Sequence, residues 1–160
     1  MNLKRDELAS CVGPDNKIYV IGGYGGTDNQ CLNAAERLCP ETGKWESLPP
    51  MREPRRALTA VALPDGIYAI GGYNGKDYVA TVEKYDFFRN EWIVVTPMKT
   101  PRCTLSAVAS SDCMHIYAIG GFNGEALDSV ERYDVVKEIW EEVTHMRNKR
   151  FMHSAVLVNQ

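Results

Sequence analysis

The sequence lacks the features that direct a protein into a membrane or onto nucleic acid. No apolar run approaches the ~18 residues of a membrane span, and residues 1–7 contain no apolar core of a signal peptide. The formal net charge is −3, and basic pairs such as Arg55-Arg56 are too short to form a binding patch. We therefore expect neither a membrane nor a nucleic-acid partner.

Cysteine usage excludes a disulfide framework. The chain has five cysteines, an odd number, and none of them forms a CxxC pair. It also has no Asn-x-Ser/Thr acceptor for glycosylation. These absences predict reduced thiols in a cytoplasmic protein.

The sequence also lacks the residue groupings of an enzyme site. The three histidines, His115, His145 and His153, are spaced irregularly and have no regular carboxylate or cysteine companion. No Ser-His-Asp grouping or pair of catalytic carboxylates is recognisable. We expect no catalysis, no metal and no cofactor.

What the sequence does contain is an internal repeat. A Gly-Gly pair occurs at positions 22, 71 and 120, in steps of 49 residues, and each pair follows a short apolar run. Downstream of each pair come a glutamate, a tryptophan and a Met-x-x-x-Arg segment, whose arginines are Arg55, Arg102 and Arg150. Met1 and Arg5 form a fourth Met-x-x-x-Arg segment at the start of the chain. The repeat defines units 1–50, 51–97 and 98–145 and the start of a fourth unit, 146–160.

Each unit has the pattern of four short strands, and no segment shows a sustained helical period. In the second unit the predicted strands are 57–63, 66–70, 80–86 and 92–96, separated by turn residues. In the first unit Pro40 follows the third strand, and we expect that strand to end there because proline cannot donate a ladder hydrogen bond.

Four-stranded units of about 50 residues are typical of β-propeller blades. The sequence resembles the kelch repeats of the BTB–kelch family in its Gly-Gly pairs, its tryptophans, its Met-x-x-x-Arg segments and the Val-Glu-Arg-Tyr-Asp segment at 130–134. The predicted fold is all-β: a partial kelch β-propeller of three four-stranded blades plus one extra strand, 151–158. The Gly-Gly segments are not phosphate loops, because they lack the GxGxxG spacing and no helix follows.

Most repeated residues suit a structural role. We expect the tryptophans, with Tyr85 and Tyr133, to fill the space between adjacent blades. We expect the double glycines to lie where the backbone turns and packs closely. The once-per-unit charges suggest buried ion pairs, in which Glu36, Glu83 and Glu131 bind Arg55, Arg102 and Arg150.

The resemblance implies two kinds of ligand-contacting position, both on loops at the rim of the central channel. One follows the double glycine: Tyr24, Tyr73 and Phe122, with Asn74 and Asn123 next to them. The other follows the boundary arginine: Arg56, Ala57, Cys103, Thr104, Phe151 and Met152. Arg56 beside Tyr73 suits an acidic peptide, and a solvated charge is the alternative. Cys103 is either a thiol activated by nearby arginine or an ordinary half-buried residue.

The predicted function is protein–protein interaction. The first hypothesis is the substrate-recognition propeller of a cullin-RING ubiquitin-ligase adaptor of BTB–kelch type. The alternative is an actin-binding or scaffolding kelch protein, and a kelch-fold enzyme is the least favoured interpretation.

Three blades do not close a ring, and the resemblance implies six. Either the chain is part of a six-bladed ring in a larger protein, or two copies form a homodimer that closes one ring.

Overall fold

The structure, a computed structural model, describes residues 1–158, and every regular element in them is a β-strand. The strands in chain order are β1 (Arg5–Asp6), β2 (Ala9–Val12), β3 (Ile18–Ile21), β4 (Tyr24–Gly25), β5 (Gln30–Cys31), β6 (Ala35–Cys39), β7 (Lys44–Leu48), β8 (Thr59–Leu63), β9 (Gly66–Ile70), β10 (Val82–Asp86), β11 (Glu91–Val95), β12 (Ser106–Ala109), β13 (His115–Ile119), β14 (Ser129–Asp134) and β15 (Ile139–His145). Within this described part, no helix is long and apolar enough to cross a membrane.

Twelve of the strands form three antiparallel sheets of four. The strand orders are β2-β3-β6-β7, β8-β9-β10-β11 and β12-β13-β14-β15, and each sheet lies inside one predicted unit. The first strands of the sheets, β2, β8 and β12, are neighbours, so the sheets are arranged side by side as blades around an axis. The prediction of a partial all-β propeller is confirmed, while the unit boundaries themselves remain a prediction.

The structure differs from the prediction at the fourth unit. Residues 151–158 are assigned to no sheet, although Ala155 N–H donates to Ser106 Oγ of the third blade (2.8 Å). Without paired neighbours in a sheet, an isolated strand is not stable. The end of the predicted unit, 159–160, falls outside the described residues.

Two hydrophobic cores lie between the blades, as the repeated aromatic residues predict. Tyr85 and Trp92 belong to the core between the first and second blades, and Tyr133 and Trp140 to the core between the second and third. Each buried indole also donates to a backbone carbonyl of the preceding unit: Trp92 Nε1 to Pro49 and Trp140 Nε1 to Thr96, both 2.9 Å. The tryptophan therefore fixes a blade to the one before it.

On the outer face of the first blade, the positions that correspond to Tyr85 and Trp92 are not covered by a described blade. Leu38 and Trp45 are cross-strand neighbours in the register of Tyr85 and Trp92. Both remain partly exposed, whereas Trp92 and Trp140 are only 4 % exposed. This face has the chemistry of a blade–blade interface.

The double glycines lie against the boundary arginine of the next unit. Gly72 N–H donates to Arg102 O (2.9 Å), and a Cβ on Gly71 would collide with that same carbonyl oxygen. Gly71 and Gly72 also have φ values of +63° and +107°, which side chains with a Cβ disfavour. Close backbone packing and left-handed geometry both require glycine here, as predicted.

The predicted arginine–glutamate pairs exist, but their partners are shifted by one unit. Arg5 binds Glu36 (3.0 Å), Arg55 binds Glu83 (3.0 Å) and Arg102 binds Glu131 (2.7 Å). The pairing of Glu36 with Arg55, Glu83 with Arg102 and Glu131 with Arg150 was wrong, because each arginine opens the unit whose third strand carries its glutamate. Within residues 1–158, Arg150 forms no such pair.

Each of these arginines also donates to two backbone carbonyls where the second and third strands of its blade meet. Arg102 Nη1 donates to Gly120 O (2.7 Å) and Ser129 O (3.1 Å). Arg55 does the same for Gly71 O and Thr81 O, and Arg5 for Gly22 O and Ala34 O. The side chains of Arg5, Arg55 and Arg102 are fully buried. Each arginine therefore connects the end of the second strand of its blade to the start of the third.

Replacing Arg102 by alanine is expected to lower the free energy of unfolding by ~3–5 kcal/mol, because the buried Glu131 would lose its positive partner and Gly120 O a hydrogen bond. Arg89→Ala is the matched control, since Arg89 is exposed and pairs only with Asp86 on the surface. It is expected to cost less than ~1 kcal/mol. Chemical denaturation of both variants measures the difference, and equal midpoints would contradict the structural role of the pair.

Candidate functional site

The two kinds of predicted rim position are hydrogen-bonded to one another. Arg56 and Tyr73 exchange two backbone hydrogen bonds (3.0 and 2.9 Å), and Cys103 and Phe122 do the same (3.0 and 2.9 Å). In the first unit the corresponding segments form a small sheet of order β1-β4-β5. The post-arginine residue therefore lies beside the post-glycine residue in each blade.

A cavity of about 430 Å³ lies between the second and third blades at this rim, and we call it the aromatic pocket. It contains eight of the eleven predicted ligand-contacting residues. Its full lining is Glu7, Arg56, Ala57, Tyr73, Tyr78, Cys103, Thr104, Phe122, Phe151 and Met152.

Four aromatic rings form one continuous wall of the pocket. Tyr73 contacts Tyr78 (ring centroids 5.5 Å apart), Tyr78 contacts Phe122 (5.8 Å) and Phe122 contacts Phe151 (5.4 Å). Phe151 is 44 % exposed and the neighbouring Met152 79 %. An apolar surface of this kind, open to solvent and concave, is typical of ligand sites.

The remaining predicted residues lie elsewhere. Tyr24 and Asn74 line a second, more polar cavity of about 540 Å³, which shares Arg56 and Tyr73 with the aromatic pocket. Asn74 Oδ1 also accepts hydrogen bonds from the backbone of Lys76 and Asp77, which orders its own loop. Asn123 lines neither of these two cavities.

Arg56 is held in place by partners on three sides. Its Nη1 donates to both carboxylate oxygens of Glu7 (3.1 and 3.0 Å). Its guanidinium carbon lies 5.3 Å from the ring centroids of both Tyr24 and Tyr73, which is cation–π geometry. The positive charge of Arg56 is therefore compensated before any ligand binds.

One backbone feature of the site was not predicted. Glu7, Ala57, Thr104 and Met152 all have left-handed φ values (47°, 51°, 48° and 53°), although none is glycine. Ala57 N–H donates to Glu7 O (2.8 Å), Thr104 N–H to Ala57 O (2.7 Å) and Met152 N–H to Thr104 O (2.9 Å). We call this chain of bonds the rim ladder. Left-handed non-glycine residues are strained and occur often at functional sites.

Sequence reasoning missed two pocket residues, Glu7 and Tyr78. Each post-glycine residue pairs with one residue further along its own unit. The partners are Cys31 for Tyr24, Tyr78 for Tyr73 and Ala126 for Phe122. The variation among Cys31, Tyr78 and Ala126 was the available signal, because the scaffold does not fix the side chain there. Glu7 precedes the first Gly-Gly pair and corresponds to Ala57 and Thr104.

The alternative of an activated Cys103 thiol is not supported. Burial raises the pKa of Cys103, and this effect outweighs the opposing influence of Arg56. Cys103 is 7 % exposed. A protonated, buried thiol is a poor nucleophile, so Cys103 contributes shape to the pocket and not reactivity.

The histidines are dispersed, as expected. His115 lies in β13, His145 ends β15 and His153 lies in the fourth unit. The carboxylates of Asp128 and Glu142 lie within hydrogen-bond distance of the His145 ring nitrogens (2.9 and 3.2 Å) and raise the pKa of His145. Within residues 1–158, no group of three His, Cys, Asp or Glu side chains could hold a metal ion.

Side-by-side antiparallel blades with a rim of variable loop residues define a partial β-propeller of the kelch class. The chain matches the family described as KLHDC2/KLHL20/DRC7 Kelch-repeats domain over residues 2–160, and it belongs to that kelch-repeat family.

Curated relatives are Kelch-like proteins. Human Kelch-like protein 28 is 43 % identical over 85 residues, which is 49 % of this chain and 15 % of the relative. Human Kelch-like protein 4 is 42 % identical over 60 residues (38 % and 8 %), and human Kelch-like protein 23 is 31 % identical over 116 residues (71 % and 18 %). The chain therefore spans less than a fifth of the length of these relatives.

Replacing Ala57 by glycine is expected to stabilise the protein by about 1 kcal/mol, because glycine adopts the left-handed conformation without a Cβ penalty. Ala60→Gly, three residues away in the regular strand β8, is expected to have the opposite sign and cost ~0.5–1 kcal/mol. Thermal denaturation of the two variants measures both shifts. Destabilisation by Ala57→Gly would show that the rim ladder carries no strain at this position.

Proposed function

We propose that this chain is the substrate-recognition propeller of a cullin-RING ubiquitin-ligase adaptor of BTB–kelch type. Membership of the kelch-repeat family supports the coarser function, a protein-interaction module. The similarity to Kelch-like proteins supports the finer one. In this proposal a BTB segment of the full-length protein binds the cullin, while the propeller binds the protein to be modified.

The observation that carries the proposal is the aromatic pocket. It is assembled from the second and third blades with residues of the first and fourth units, and most of its side chains vary from unit to unit. A rigid scaffold with variable loop residues is the usual way in which a repeat protein acquires a specific partner. In such a module the pocket contributes binding and no chemical step.

Tyr73→Ala in the full-length protein is expected to remove one set of captured partners while retaining the cullin and its RING subunit. The reason is that Tyr73 lies in the wall of the aromatic pocket and also contacts Arg56. Affinity capture from cells followed by mass spectrometry measures the difference. Phe88→Ala is the control, because Phe88 is 97 % exposed and lies in the turn between β10 and β11, at the opposite end of the blade.

One result would overturn the adaptor proposal, and another would overturn the role of the aromatic pocket in it. Capture of actin filaments without any cullin would favour the scaffolding alternative. Capture of a cullin with partners that are identical for the native protein and Tyr73→Ala would remove the aromatic pocket from substrate recognition.

The proposed location is the cytoplasm, which suits the five cysteines, all present as free thiols.

We also propose that further blades complete the ring, supplied by additional sequence or by a second copy of the chain. The partly exposed Trp45 and Leu38 on the first blade support this, as do the exposed apolar residues of the fourth unit, among them Val156 and Leu157. Both surfaces resemble the buried blade–blade interfaces in composition. Uncovered, they would favour association.

The isolated 160-residue chain is accordingly expected to be a dimer, since a second copy is the only source of blades for it. Light scattering with size-exclusion chromatography measures the mass, and Trp45→Ser is expected to shift the population toward the monomer by weakening the exposed face. The surface control is Phe88→Ser, which should leave the mass unchanged. A native chain that is monomeric at micromolar concentration would contradict closure by self-association.

A further inference from the structure

The positive charge in the aromatic pocket is already paired. Arg56 and Glu7 are its two charged residues, and they bind each other through two hydrogen bonds. Two tyrosine rings also lie against the partly exposed guanidinium group. An acidic side chain entering the pocket would have to displace Glu7 or lie close to it, and like charges repel.

Most backbone donors of the pocket are also in use. The N–H groups of seven of the ten lining residues donate to carbonyl oxygens within the chain, in the Arg56–Tyr73 and Cys103–Phe122 bridges and along the rim ladder. Anion sites in proteins depend on unpaired N–H groups or free cations. The pocket therefore offers little of either to a carboxylate.

What remains accessible is apolar. The four-ring wall of Tyr73, Tyr78, Phe122 and Phe151 faces Met152, Ala57 and the buried Cys103 across a cavity of about 430 Å³. This volume exceeds that of one large side chain. Ligands gain from such a surface chiefly by burying apolar area, to which aromatic rings contribute most.

We propose that the aromatic pocket binds uncharged apolar side chains, leucine-like or aromatic, on a segment of the partner protein, and that Glu7 sets this preference by neutralising Arg56. The inference rests on the proposed function, because it specifies the ligand of the same site. It replaces the acidic peptide that Arg56 suggested in the sequence. Glu7 acts as a specificity residue: without its carboxylate, Arg56 becomes available to acidic ligands.

The test is peptide selection on purified native chain and on Glu7→Gln, with a phage-displayed library of random 12-residue peptides as the probe. Native chain is expected to enrich peptides with fixed Leu, Ile, Met, Phe or Trp positions and no fixed Asp or Glu. Phe122→Ala should weaken their binding about tenfold or more, as truncation of a central aromatic anchor does. Phe88→Ala is the matched control and should leave binding unchanged.

Two further measurements separate apolar from charged recognition. Affinity of the apolar peptides should not fall when salt is raised to about 1 M, where the Debye length is only ~3 Å. Glu7→Gln should additionally enrich peptides with a fixed Asp or Glu, and binding of those peptides should weaken with salt and be lost in the Glu7→Gln, Arg56→Gln double variant. Circular dichroism of each variant verifies that the blades remain folded.

Each outcome has a distinct meaning. If native chain selects acidic peptides that require Arg56, the apolar inference is overturned while the pocket remains a binding site. If Glu7→Gln selects the same peptides as native chain, Glu7 is not a specificity residue. If no enriched peptide depends on Phe122, the aromatic pocket does not bind peptides, and both this inference and the proposed recognition surface are wrong.

Discussion

The buried arginine–glutamate pair is the interaction on which each blade depends. A propeller blade must turn sharply after its second strand, and the carbonyl groups buried at that turn need hydrogen-bond donors. Arg102 donates to two of them, Gly120 O and Ser129 O, and Glu131 neutralises its charge. The same arrangement occurs in all three blades. A buried charge of this kind contributes a unique geometry more than net stability.

This geometry fixes the surface where a partner would bind. The side chain of each boundary arginine donates to the first carbonyl of the double glycine in its own unit, so the residue that follows the arginine is brought beside the residue that follows that double glycine. Arg56 and Tyr73, or Cys103 and Phe122, thus become neighbours although they are far apart in sequence. The chemistry of the pocket is then decided by side chains that the scaffold leaves free.

Much of the fold was predictable because it depends on residues that repeat. The Gly-Gly pairs, Tyr85, Trp92 and the four strands of the second unit follow from spacing and strand propensity alone. The ion-pair partners were predicted one unit out of register, since a periodic pattern fixes residue types but not which copy contacts which. Glu7 and the rim ladder were missed because left-handed φ at Ala57 or Thr104 has no sequence signal when glycine is absent. That the charge of Arg56 is paired was missed as well, because the pairing depends on Glu7.

The rim ladder has a consequence for how this protein family can diversify. Its hydrogen bonds run from backbone to backbone, through Glu7, Ala57, Thr104 and Met152, so the four side chains contribute nothing to them. An acid, a methyl group, a hydroxyl and a thioether occupy equivalent places on one frame. Mutation at these positions can therefore change the bound partner while the backbone hydrogen bonds of the rim ladder are kept. The left-handed backbone strains every unit in the same way, and it leaves these four side chains free to change the binding specificity.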